Sequence, residues 1–199
     1  MELGLEGGFS DPVHQSQSSF RAIMDALASP GTVQKLAEPG LARVALTPEL
    51  ASILLTLSDP ETPIWFADSL RHDAGVAAFV AFHTGAPIVS EPGKAVFAVA
   101  PHASELPRFE QFNLGTQEYP DRSTTIVLAV AALSGGVELS LRGPGIKGHG
   151  HISPIGLPED FLEQWAANRE LFPRGIDLVL VAGGAVLGLP RSTRIAEGH

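Results

Sequence analysis

Apolar residues recur at helical spacing between Ser16 and Ala28, where Phe20, Ile23, Met24, Leu27 and Ala28 fall at i, i+3, i+4, i+7 and i+8. This spacing predicts a helix with one inward face, stopped by Ser29-Pro30-Gly31. Thr47 reads as the N-cap of a second helix, with Pro48 at the first helical position, where its missing N–H costs nothing. Leu50, Ile53, Leu54 and Leu57 point inward, and the helix ends before Asp59-Pro60. The bulky run Pro63 to Ala67 (PIWFA) reads as a buried strand. Asp68 or Ser69 then caps a third helix. Its small apolar face (Leu70, Ala74, Ala77, Ala78, Ala81) predicts close packing on a sheet, and Gly85 ends it.

Two extended pieces, Pro87 to Ser90 and Ala95 to Ala100, precede a short helix near Ser104 to Phe112 and a loop from Asn113 to Arg122. Thr124 to Ala132 and Val137 to Leu141 flank Ser134-Gly135-Gly136, a pattern that predicts a hairpin. Gly143 to Pro154 reads as an irregular Gly/Pro/His loop. Pro158 to Leu171 reads as an amphipathic helix with Phe161, Leu162, Trp165 and Ala166 inward. A second hairpin is expected from Leu178 to Val181 and Ala185 to Leu189, across Gly183-Gly184. Alternating helices and strands with two glycine-turn hairpins predict an α/β fold. The expectation is one domain over residues 1–199, three layers α/β/α around a mixed sheet, with residues 1–15 a flexible N-terminal segment.

Composition narrows the function classes. With 44% hydrophobic and 18% charged residues over 199 positions, the chain can bury a sizeable core. The absence of cysteine excludes disulfide frameworks, thiolate nucleophiles and cysteine-ligated metal sites. A net charge of −9 argues against nonspecific nucleic-acid binding, which needs a basic face. The charge is unevenly placed: residues 1–141 hold 7 basic and 16 acidic side chains, and residues 142–199 hold 6 of each. The N-terminal MELGLEGG lacks the basic-then-apolar order of a signal peptide. Apolar runs such as Ile126 to Leu133 fall far short of the ~18 residues that span a bilayer. No membrane association and a cytoplasmic location are expected.

Candidate chemistry is sparse. Gly143 to Gly148 formally matches GxGxxG, but His149-Gly150-His151-Ile152-Ser153-Pro154 cannot open the helix that a dinucleotide site requires. That stretch is expected to be a surface loop. His149 and His151 are expected to be solvated histidines, with no third metal ligand in view, and His83 to cap or pack the end of its helix. A pyridoxal enzyme needs a lysine for its aldimine, and only Lys35, Lys94 and Lys147 exist, in exposed or glycine-rich settings. The one candidate ligand site is for an anion. Arg142, Lys147, Arg191 and Thr193 supply guanidinium forks, an ammonium and a hydroxyl of the kind that bind phosphate or phosphonate oxygens. The competing reading of the Arg191 cluster is an ordinary tail or a subunit contact.

Several segments together resemble the PhnH family of the bacterial carbon–phosphorus lyase system for phosphonate degradation. The carriers are SFRAIMDALASPG (Ser19 to Gly31), LLTLSDPETPIWF (Leu54 to Phe66), FHTGAPIVSEPGKAVFAVA (Phe82 to Ala100), LSGGVELSLRGPGI, FPRGIDLVLV (Phe172 to Val181) and LPRST (Leu189 to Thr193). The resemblance implies a homodimer with a fold like that of pyridoxal-phosphate-dependent transferases, without a retained cofactor. It further implies assembly with the G, I and J subunits into the lyase core complex. With the L subunit, that system displaces adenine from ATP by a phosphonate, giving a ribose 1-phosphonate 5-triphosphate, and the nucleosidase chemistry is attributed to the I subunit. No catalytic residue carries over to this sequence.

Three readings follow. The first is a non-catalytic subunit of an enzyme complex. The second is a phosphonate- or nucleotide-binding subunit using Arg142, Lys147, Arg191 and Thr193. The third is a pyridoxal-type enzyme on the same fold.

Overall fold

The computed structural model describes residues 7–41 and 44–198. Strand β1 (Gly7–Gly8) precedes helix α1 (Pro12–Ala28). The helix starts ahead of its apolar periodicity because Asp11 caps it, accepting the His14 N–H at 3.3 Å, with Pro12 at the first position. Within the segment expected to be flexible, residues 7–8 therefore form β1 and residues 12–15 belong to α1; residues 1–6 lie outside the described residues. Strands β2 (Val33–Lys35) and β3 (Gly40–Leu41) follow, and β3 pairs with β1. Helix α2 (Pro48–Leu57) begins as predicted, with Thr47 Oγ1 accepting the Leu50 N–H at 3.3 Å. Strand β4 (Ile64–Phe66) is the buried core of PIWFA.

The expected third helix is two helices, α3 (Asp68–Arg71) and α4 (Ala74–His83). Asp73 divides them: its carboxylate accepts the Val76 N–H at 2.9 Å and caps a new helix. Strands β5 (Ile88–Val89) and β6 (Phe97–Ala100) come next. The short helix expected near Ser104 to Phe112 is a pair of 3-10 turns, Ala103–Glu105 and Phe109–Gln111. The remaining elements are β7 (Thr125–Ala129), β8 (Leu139–Arg142), β9 (Gly150–Ile152), α5 (Phe161–Glu170), β10 (Asp177–Ala182), β11 (Ala185–Leu189) and β12 (Arg194–Glu197).

Seven strands form a mixed sheet in the order β2-β11-β10-β7-β6-β4-β5, and β11 alone runs against the other six. The β10–β11 hairpin closes through Gly183 and Gly184 at φ +59° and +75°, the left-handed pair that a two-residue hairpin turn needs. The other predicted hairpin does not exist. Strand β7 lies between β6 and β10, parallel to both, with Ile126, Val127 and Leu128 all buried. Both of its edges are hydrogen-bonded, so β8 has no place beside it. Strand β8 instead centres a three-stranded sheet of order β12-β8-β9, and β9 falls inside the stretch expected to be irregular loop. The Gly135-Gly136 turn serves a different contact: the Gly136 N–H donates to the Ser153 carbonyl at 2.7 Å.

Alternate residues of the central strands serve two cores. Val127, Val179, Val181 and Val186 join α1, α2 and α4 in one. Ile126, Leu128, Leu178, Leu180 and Leu187 join α5 and the small sheet in the other. Each such fully buried side chain is worth about 1.5–3 kcal/mol. The layered α/β expectation thus holds for the helical face. A small sheet and 3-10 turns share the opposite face with one helix. On α5, Phe161 and Trp165 are buried as predicted, but Gln164 and Asn168 complete the inward face and Ala166 is exposed.

The face of α1 is also rotated from its predicted position. Ser19, Ala22, Ile23 and Ala26 are buried, while Phe20 and Met24 are 50% and 48% exposed. Distance explains it. The helix runs so close to β11 that a Cβ on Gly188 would lie 2.8 Å from the Ala26 carbonyl group and the Leu27 nitrogen. Only small side chains fit such an approach. Replacing Gly188 by alanine is expected to destabilise the fold by about 1–3 kcal/mol through overpacking. Chemical denaturation checks this, and an unchanged midpoint would refute the contact as a stability determinant.

Candidate functional site

Doubly wound sheets bind ligands where adjacent strands lead off in opposite directions. Here that point lies between the C-terminal ends of β4 and β6, since β4 leads through α3 and α4 to β5 on one side and β6 leads to β7 on the other. Glu105 fills it. Its carboxylate accepts the Ser69 backbone N–H and the Ser69 hydroxyl, both at 2.9 Å. The Ser69 backbone bond is the main reason that the Glu105 pKa lies below the usual carboxylate range. The chain's own anion therefore occupies an amide that a phosphate would use. Beside it, a crevice of about 320 Å³ is lined by His102, Ser104, Ala131 and Gly156 among others.

The four candidate anion ligands have separate fates. Arg191 is held by Asp177: Nε donates to Oδ1 at 3.1 Å, Nη2 donates to Oδ2 at 2.5 Å, and the Arg191 backbone N–H reaches Oδ1 at 2.7 Å. Its remaining nitrogen, Nη1, donates to the Pro120 carbonyl, and the two side chains are only 14% and 19% exposed. Thr193 is wholly buried, and its carbonyl accepts the Trp165 indole N–H at 2.9 Å. Arg142 is exposed on β8, opposite Arg194 of β12, and its Nε donates to His149 Nδ1 at 3.0 Å. Lys147 is exposed in the loop before β9. Gly143, next to Arg142, packs against the Ser192–Thr193 backbone, but the Thr193 hydroxyl is not presented to solvent and the Arg191 fork is filled.

Other polar side chains hold the framework. Asn168 clamps the backbone of Ile176, its Oδ1 accepting the N–H at 2.8 Å and its Nδ2 donating to the carbonyl at 3.0 Å. Arg108 binds Asp160 at 2.7 Å and Glu163 at 3.1 Å, and the Glu163 hydrogen bond raises its already high pKa. Glu49 is half-buried, which alone raises a carboxylate pKa, yet bonds from the Gly184 N–H (2.7 Å), its own amide and Thr47 hold it below the usual range. Nothing in the sequence marked Glu105, Asp177 or Asn168. Their partners lie 36, 14 and 8 positions away, and no helix or strand period encodes the pairing.

The histidines and lysines follow the same pattern. His83 packs between Phe79 and Phe82, with ring centroids at 4.5 and 4.9 Å, and its buried Nε2 has no hydrogen-bond partner among the described residues. His151 Nδ1 lies 3.4 Å from Glu138, and no group of three or more metal-ligating side chains gathers among the described residues. Lys35, Lys94 and Lys147 are all exposed, and Lys94 pairs with Glu91 at 2.7 Å. These exposed positions do not fit an internal aldimine with pyridoxal phosphate. Among the described residues, no helix is long and apolar enough to cross a membrane.

The fold and these contacts define a layered α/β protein in which Arg191, Arg108, Glu105 and Glu49 are engaged by partners within the chain. Residues 7–196 match the family described as bacterial phosphonate metabolism protein (PhnH), and the chain belongs to that family. It is 48% identical over 189 residues, 95% of this chain and 94% of the relative, to the alpha-D-ribose 1-methylphosphonate 5-triphosphate synthase subunit PhnH of Rhizobium meliloti. It is 30% identical over 182 residues, 91% of this chain and 86% of the relative, to the putative C-P lyase subunit protein HtxG of Stutzerimonas stutzeri.

Two outcomes test these assignments. Asp177→Asn leaves a nearly buried guanidinium without its counter-ion, at a cost of about 3 kcal/mol in denaturation. A stability equal to that of the native chain would show the pair to be dispensable. Burial lowers the His83 pKa below its usual 6.5, so below that value the unfolded chain binds a proton that the folded chain does not. The melting temperature therefore falls as pH drops through 6.5 toward the lowered folded value. His83→Phe is expected to flatten this part of the profile, and an unchanged slope would remove His83 as the cause.

Proposed function

We propose that this chain is a subunit of the complex that makes alpha-D-ribose 1-methylphosphonate 5-triphosphate in bacterial phosphonate catabolism, and that it acts by assembly without an active site of its own. The end-to-end similarity to the Rhizobium meliloti synthase subunit carries the reading, because it spans 95% of this chain and 94% of that one. The internal engagement of Glu105, Arg191 and Arg108 supports the non-catalytic part. The proposal extends to a homodimer when isolated, to partnership with the G, I and J subunits, and to a cytoplasmic location. A seven-strand sheet with a single reversed strand supports kinship with the fold of pyridoxal-phosphate-dependent transferases, here without the cofactor.

The alternative, a direct hand in binding phosphonate or nucleotide, rests on Arg142 and Lys147, whose side chains remain exposed. Co-expression with the other three subunits is expected to yield one co-purifying complex. The isolated chain is expected to show no turnover of ATP with methylphosphonate and no heat of binding to either. A chain that purifies alone from that co-expression would overturn the subunit reading. Turnover by the isolated chain would overturn its non-catalytic part. Binding heat abolished by Arg142→Ala with Lys147→Ala would favour the alternative.

A further inference from the structure

Between the start of α5 and the end of β12 the surface opens into a groove of about 730 Å³, floored by Leu139, Leu157 and Phe161. At its mouth Val137 is 77% exposed and Ile155 43% exposed. Apolar side chains clustered around a cleft in this way mark a contact surface. The walls are preset. The Gly136 N–H holds the Ser153 carbonyl at 2.7 Å, and the Phe161 ring stacks on Trp165 at 5.7 Å.

The rim has one sign of charge. Glu159, Asp160, Glu163 and Glu197 line the groove, and no lysine or arginine does. Arg108 reaches Asp160 and Glu163 from outside, but Glu159 and Glu197 have no ion-pair partner among the described residues. We propose that this groove docks a Lys/Arg-bearing polypeptide segment with an apolar anchor, supplied by another subunit of the complex. The inference rests on the subunit reading above.

Charge selects this occupant over others. A second copy of the same face would set carboxylates against carboxylates, on a chain already carrying a net −9. Phosphonates and nucleotides are anions and are repelled by the same rim. A basic segment meets the rim, while its apolar side chain displaces water from the floor.

The test uses the full chain with the G, I and J subunits co-expressed. Glu159→Lys combined with Glu197→Lys is expected to weaken assembly roughly tenfold or more, with the native interaction itself weakening as salt rises. Glu118→Lys, on a loop away from the groove, changes the net charge without touching the rim and is expected to leave assembly intact. Val137→Asp, at a 77% exposed site, should weaken assembly with an unchanged melting temperature and keeps the test open if the double variant unfolds. Assembly unaffected by the folded rim and Val137 variants would overturn the groove while leaving the subunit reading intact. Equal losses from Glu118→Lys would assign the effect to net charge and overturn it too. Failure of the native chain to assemble would overturn both.

Discussion

The close approach of the end of α1 to two glycines organises the molecule. At Gly188 the helix backbone lies against β11, and at Gly145, before β9, a Cβ would sit 2.0 Å from the Ala28 carbonyl oxygen. Gly145 has φ +77°, so side chains there are disfavoured by both conformation and space. The two contacts tie the seven-stranded sheet and the loop of the small sheet to the same helix end. Once that helix is seated, the valine face of the sheet is covered and the leucine face is left for α5 and the three-stranded sheet.

Burying so much strand makes an unpartnered polar group near the sheet ends costly, at about 1–3 kcal/mol. Asp177 with Arg191, Asn168 with Ile176, and Glu49 with Gly184 find such partners 14, 8 and 135 positions apart. Glu105 does the same at the position where related architectures place ligands. For these side chains, polarity and charge serve to hold the fold.

Local signals reached far into the fold. Thr47-Pro48 marked the start of α2, PIWFA marked β4, and Gly183-Gly184 marked the β10–β11 turn. Each is decided by a few adjacent residues: a cap, a buried run, a pair of left-handed φ angles. The failures are equally specific. Ser134-Gly135-Gly136 has the composition of a hairpin turn, yet β7 was already paired on both edges. Phe20 and Met24 have the spacing of a core face, yet contact with Gly188 demanded the small face of the same helix. Of the candidate anion site, the residue types were legible, but the engagement of Arg191 and the burial of Thr193 were not.

The sequence by itself determined the class of fold, the Thr47 cap of α2, the glycine turn of one hairpin and, through its ordered motifs, the family. Those depend on conformational preferences and hydrophobic spacing over a few residues. Only the tertiary structure decided which strands share an edge, which face of α1 is inward and which charges are neutralised. These outcomes depend on distances between segments remote in the chain, from Glu49 to Gly184 or Arg108 to Asp160, that no local pattern records.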